Sequence, residues 1–192
     1  MVFITSFFFH AILTTKPLVF SSGLYNTIPN FAYRNLFSNI QNTTIISPSF
    51  PLTRRNFENL CDQHEQDKLP LIAHSSIDPD ILNSHRIEKA LLIDPATLPA
   101  IGTSGLIPIT IQPRAPVNVI LSKFYASFVK TEFQPNIQGA SLIQLDYGGH
   151  SDLLDGFLPL IAQQIGIHSD TENIKDYKYF VKLYIQKWIT SH

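Results

Sequence analysis

A series of short apolar runs, each closed by small or polar residues, constrains this chain most. They are "KPLVFSS" (16–22), "TTIISPSF" (43–50), "LPLIA" (69–73), "KALLIDP" (89–95), "VNVILS" (117–122) and "ASLIQLDYGGH" (140–150). Several are apolar without alternation, as strands are when both sheet faces are covered. Between them the period changes. Phe31, Ala32, Asn35, Leu36 and Ile40 fall at helical spacing after Pro29, as do Phe57, Leu60, Cys61 and His64. Leu153, Leu154, Phe157, Leu158, Ile161, Ala162 and Ile165 repeat likewise, with Pro159 expected to kink or split that helix. Tyr177, Phe180, Val181, Tyr184 and Trp188 mark a closing helix. Strands alternating with helices predict an α/β fold: one domain over 1–192, a mainly parallel sheet and helices on both faces. No internal repeat interrupts the pattern.

Composition narrows the function. Of 192 residues 44% are apolar and only 15% charged, below the roughly 25% average, so the chain is globular with a surface short of charge. The net charge of −1 and the absence of a basic run leave no electrostatic footprint for nucleic acid. Cys61 is the only cysteine, so neither an internal disulfide nor a thiolate zinc site is available. No His-x-x-x-His helix or carboxylate cluster supports metal hydrolysis through His74, His150 and an Asp, and no metal or cofactor is expected. The N-terminal "MVFITSFFFHAILTTKP" lacks a basic start and a small-x-small cleavage site, and is too short to span a bilayer. Residues 2–9 therefore read as a buried strand. A cytoplasmic protein without a transmembrane segment is expected, with secretion the alternative if that segment is a signal. Oligomeric state is not legible.

In open α/β sheets the ligand lies beyond the carboxyl ends of the strands. Those ends carry Ser21-Ser22-Gly23-Leu24, then His74-Ser75-Ser76, then Asp94, and last His150. Ser, Asp and His thus follow in the chain order used by α/β-hydrolases. A serine hydroxyl needs an imidazole to take its proton, and a carboxylate to fix that imidazole's tautomer. Ser75 is the candidate nucleophile, Asp94 the acid and His150 the base. Backbone N–H groups of Ser76 and of Gly23 or Leu24 are the candidate oxyanion donors. Against a Gly-x-Ser-x-Gly elbow the chain reads Ala73-His74-Ser75-Ser76-Ile77, which sets a branched Ile where the elbow normally needs room. Asp146, Asp152 and Asp155 compete for the acid role; Asp146 falls inside a predicted strand and Asp152 is close to His150 in sequence. "VNVILS" ends without an acid, so Asp94 must serve. His74 is expected to face the interior or the pocket wall, and His10, His64, His85, His168 and His192 to be structural or on the surface.

These motifs resemble those of α/β-hydrolases of the chlorophyllase type, relatives of small lipase-like esterases. That group has a Gly-His-Ser-x-Gly-Gly elbow, an acid in Leu-Asp-Pro after the next strand, and a histidine in Asp-Tyr-Gly-His-x-Asp-x-Leu-Asp. Here stand "AHSSID", "LLIDPA" and "LDYGGHSDLLDG", and "APVNVIL" is similar to a further family strand. The similarity runs in order from about residue 17 to 156. It implies a reduced α/β-hydrolase fold without a large cap domain, and the roles already given to Ser75, Asp94 and His150. The expected activity is cleavage of a small-molecule ester with a hydrophobic group through an acyl-enzyme, segment 96–115 forming an apolar wall or lid. The alternative is an inactive protein of the same fold that serves in binding or interaction.

Overall fold

The computed structural model of the chain describes residues 15–23, 28–48, 51–97, 110–128, 134–164, 167 and 169–191. The expected strand over 2–9, Leu24, His10, His168, His192 and the 98–109 part of the expected wall lie outside the described residues. The elements run β1 (Lys16–Ser21), α1 (Arg34–Phe37, entered through a 3-10 turn at Asn30–Tyr33), β2 (Thr43–Ile46), α2 (Arg54–Gln63) and β3 (Leu69–Ser76). There follow a 3-10 turn (Pro79–Asn83), β4 (Ile87–Ala96), β5 (Thr110–Ile111), β6 (Val117–Leu121), α3 (Tyr125–Phe128), β7 (Asn136–Ile137) and β8 (Ser141–Gln144). A 3-10 turn (His150–Leu153), α4 (Leu158–Gln164) and α5 (Ile174–Thr190) complete them.

Six strands form one sheet in the order β2-β1-β3-β4-β6-β8, and every pairing is parallel. Strands β5 and β7 pair apart from it. The apolar runs are continuous because successive side chains feed opposite layers. Val19, Leu71, Ala73, Ala90, Leu92, Val117 and Val119 pack with Phe57, Leu60 and Cys61 of α2 and with Ile81 and Leu82. Their neighbours Leu18, Phe20, Ile72, Leu91, Ile93 and Ile120 pack with Tyr33, Leu36 and the Tyr177, Val181, Ile185 and Trp188 face of α5. The predicted sheet with helices on both faces is therefore the observed one, and its arrangement is consistent with a reduced α/β-hydrolase fold.

Several boundaries differ from expectation for physical reasons. Strand β4 continues through Asp94-Pro95 to Ala96 instead of stopping there, because Ser76 of β3 still pairs with Ala96. Strand β8 covers only Ser141–Gln144, after which Leu145 turns inward as the chain leaves the sheet edge. The helix expected over 153–165 is divided between the turn at His150–Leu153 and α4. Pro159 is the second residue of α4, where no intrahelical N–H bond is lost, so it opens the helix rather than kinking it. Among the described residues no helix is long and apolar enough to cross a membrane.

The direction of chain progress reverses between β1 and β3: β2 lies outward on one side, and β4, β6 and β8 follow on the other. The carboxyl ends of the strands at such a switch are the usual ligand position in open α/β sheets. Ser21 to Gly23 leave β1 on one side of the switch, and Ser75, the last residue but one of β3, lies on the other.

Candidate active site

Ser75 has φ of 67°. The left-handed region costs a residue with a Cβ about 1–2 kcal/mol, so a serine held there is over-determined by its surroundings. The pairing of β3 with β4 supplies the constraint: its register shifts between His74 and Ser76, leaving Ser75 as the irregular residue. Beyond it the chain stays extended, with the Ile77 N–H donating to the Ala96 carbonyl at 3.0 Å. Ile77 then enters the core beside α2. Its branched side chain does not crowd the turn, because a 3-10 turn capped by Asp78 follows, rather than a long helix packed against the strand.

The bend leaves Ser75 Oγ at 2.9 Å from His150 Nε2. His150 Nδ1 stands 3.4 Å from Asp94 Oδ2. That spacing is within ion-pair reach but longer than an ordinary hydrogen bond. Asp94 is itself bent, with φ of 46°, and fully buried. Ser122, directly after β6, holds it from the next strand end. The Ser122 N–H donates to Asp94 Oδ1 and the Ser122 hydroxyl to Oδ2, both at 2.7 Å. The strand end that carries no acid thus carries the residue that grips the acid of its neighbour.

His74 occupies the interior beneath Ser75. Its Nδ1 lies 2.8 Å from Tyr33 Oη, and its Nε2 lies 3.0 Å from the His150 carbonyl oxygen. A carbonyl only accepts, so Nε2 carries the proton; Nδ1 then accepts from the Tyr33 hydroxyl. The phenol oxygen in turn accepts the Gly23 N–H at 3.2 Å. Burial foremost, and the neighbouring His150, push the His74 pKa from its ordinary 6.5 down to about 3. Its ring also stacks on that of His150, centroids 4.8 Å apart. Burial raises the Tyr33 phenol well above its usual range. This pair therefore stays uncharged across the physiological range.

The turn that presents His150 is pinned from the start of α5. Gly148 has φ of 84°, and a Cβ there would lie 2.4 Å from the Tyr177 ring. Only glycine admits both the backbone and the ring. Gly149 donates to Asp152 Oδ2 at 2.7 Å while the Asp152 N–H returns to the Gly149 carbonyl at 3.0 Å. Asp152 also accepts from the Ser169 hydroxyl and, at 2.9 Å, from the Asp170 N–H. Asp170 closes the brace by accepting the Gly148 N–H at 3.1 Å.

Ser75, Asp94 and His150, proposed from three separate strand ends, are thus brought together. Of the oxyanion candidates, Ser76 directly follows the bend and Leu24 is outside the described residues. Gly23 adjoins Ser75, since a Cβ on it would lie 3.5 Å from Ser75 Cβ, but its N–H is already given to Tyr33. Asp146 is exposed beyond β8, not inside a strand. Asp155 accepts the Asn35 N–H at 2.7 Å, away from the imidazole. His64 and His85 are exposed. Tyr33, Ser122 and Asp152 were missed as site-building residues. Ser122 had a signal, as the polar residue closing an apolar run. Asp152 had one in its nearness to His150, which spoils it as the acid but suits it to cap the turn. Tyr33 had none, because its partner His74 is 41 residues away.

Single ligand atoms of His74, Asp94 and His150 all lie within 4.8 Å of one another. They do not form a ready metal site, because both His74 nitrogens are committed to Tyr33 and the His150 carbonyl.

No protein-family model and no curated protein matches the chain. Among solved structures it is similar to the esterase domain of a Rhodothermus marinus protein, at 14% identity and a TM-score of 0.49, over 93% of this chain and 88% of that one. A likeness of that size decides nothing about the chemistry of this chain.

Proposed function

We propose that the protein is a serine hydrolase of the carboxylesterase kind, acting on a small-molecule ester with a hydrophobic group. The observation that carries this reading is the backbone-strained Ser75, its hydroxyl 2.9 Å from an imidazole whose other nitrogen faces the buried Asp94. In the proposed reaction His150 Nε2 takes the Ser75 proton as Oγ attacks the ester carbonyl. Asp94 holds the imidazole and stabilises its charged form. The Ser76 N–H is the first donor to the tetrahedral oxyanion. The second donor is drawn from the loop after β1: the Leu24 N–H, while the Gly23 N–H stays bonded to Tyr33. His150 then protonates the leaving alkoxide, and an acyl group remains on Ser75. Water, deprotonated by the same imidazole, releases the acid.

The hydrophobic preference rests on surface chemistry. Phe31, Phe157 and Leu160 are exposed, and the Asp155 N–H bond to the Ala32 carbonyl (2.7 Å) ties their two segments together. With a panel of p-nitrophenyl esters, longer acyl chains should be hydrolysed better than acetate, with a burst of one nitrophenolate per protein if deacylation is slow. Ser75→Ala should abolish both. Absence of turnover on every ester would contradict the reading. It would favour a binding protein of the same fold, for which the engaged Gly23 N–H is the supporting observation.

A further inference from the structure

We infer that His74 is a positioning residue for the proposed reaction: a neutral, tautomer-locked bridge that, with Tyr33, fixes the His150 backbone to the loop after β1. The inference rests on the hydrolase reading above and goes beyond its Ser, Asp and His.

Three bonds in series carry it. The Gly23 N–H donates to Tyr33 Oη, the Tyr33 O–H donates to His74 Nδ1, and His74 Nε2–H donates to the His150 carbonyl. The direction of each follows from its ends, since a backbone N–H only donates and a carbonyl only accepts. One imidazole thus joins the loop beside Ser75 to the residue that contacts Ser75 Oγ. The Tyr33 ring meets the His74 ring edge-on, centroids 5.5 Å apart, and the His74 ring lies against His150 at 27°. Rotation of His74 would break two bonds inside a fully enclosed space.

The bridge must remain uncharged to work. A protonated His74 would carry a proton on Nδ1 as well, facing the Tyr33 hydroxyl, and a positive charge against the imidazole that must itself become positive. Burial excludes that form, with the His74 pKa near 3. Lysine or arginine could not substitute, since neither accepts a hydrogen bond.

The test has two arms. Nitrogen-15 NMR of histidine-labelled protein should show the His74 ring as the Nε2–H tautomer, without titration between about pH 8 and pH 5. An Nδ1–H tautomer, or titration in that interval, would overturn the proposal. In the second arm His74→Phe, His74→Gln and Tyr33→Phe are compared with wild type on a p-nitrophenyl ester. Active sites are counted with a fluorophosphonate. His74→Phe should lower kcat per titrated site about ten- to a hundredfold, the cost of a small misplacement, with KM nearly unchanged. His74→Gln, able to donate again to the His150 carbonyl, should recover part of that loss. A merely structural role would reduce the number of titratable sites and leave turnover per site intact, and that result overturns the proposal alone. An inert wild-type protein overturns the hydrolase reading and the proposal together.

Discussion

Ser75 is the residue at which fold and proposed chemistry meet. Its positive φ is strain that only a functional or topological demand would retain. Ser75→Gly should therefore be more stable to urea than Ser75→Ala, by about 1 kcal/mol, because glycine relaxes the left-handed backbone and alanine does not. Equal stabilities would mean that the bend is unstrained. His74 gives a second residue-scale expectation. Its folded pKa lies near 3, against an ordinary 6.5, so below pH 6.5 the unfolded chain takes up a proton that the folded chain refuses. The contribution is complete above pH 6.5 and is lost as pH falls toward 3, by at most about 1.4 kcal/mol per pH unit. Urea titrations across that interval should show the loss, and His74→Gln should flatten it. Sequence alone raised Ile77 as the objection to a nucleophile elbow. The objection assumed a helix packed against the strand; the extended exit and short turn supply the room that a glycine otherwise gives.

At the scale of elements, the turn from Gly148 to Leu153 sets where His150 stands. Gly148→Ala must both occupy φ of 84° and displace the Tyr177 ring, so it should cost about 2–4 kcal/mol and reduce activity with it. Thermal unfolding measures the first effect and ester turnover the second. A neutral substitution would show that the turn and α5 are not rigidly coupled. The central elements were legible because continuous apolar runs such as "LPLIA" and "KALLI" have few alternatives to a two-face-buried strand. The ends were less so. "ASLIQLDYGGH" reads as one apolar stretch, yet among the described residues β8 pairs only with β6, and the chain leaves it after Gln144. Pro159 signals a kink or a split, because sequence spacing does not say where a helix begins; the stretch is split, with Pro159 in the first turn of α4.

Across the whole molecule, parallel pairing sends Ser75 of β3, Asp94 of β4 and the chain that leaves β8 toward the His150 turn to the same end of the sheet. Chain order predicted that convergence. The long-range polar bonds that hold it were not predicted, because side-chain partners 28 to 76 residues apart leave no periodic trace. The sheet order also accounts for the unusual support of the acid. Strands β4 and β6 are neighbours, so Ser122 at the end of β6 can grip Asp94 at the end of β4 with two 2.7 Å bonds. Ser122→Ala removes the hydroxyl bond and keeps the backbone one. Kinetics of that variant should show a kcat reduced about tenfold, with the fold intact by circular dichroism, as expected for loss of one buried hydrogen bond to a charged group. Unchanged kcat would show that the hydroxyl is not needed to orient the carboxylate.

The proposed function depends on Ser75 being activated in the folded protein and nowhere else. The most direct measurement is labelling with a fluorophosphonate followed by mass-spectrometric mapping of the modified peptide. The account predicts one adduct, on Ser75, formed by folded wild type and abolished by His150→Ala or by prior unfolding. A folded protein that carries no adduct on Ser75, or labels equally fast without His150, would contradict it.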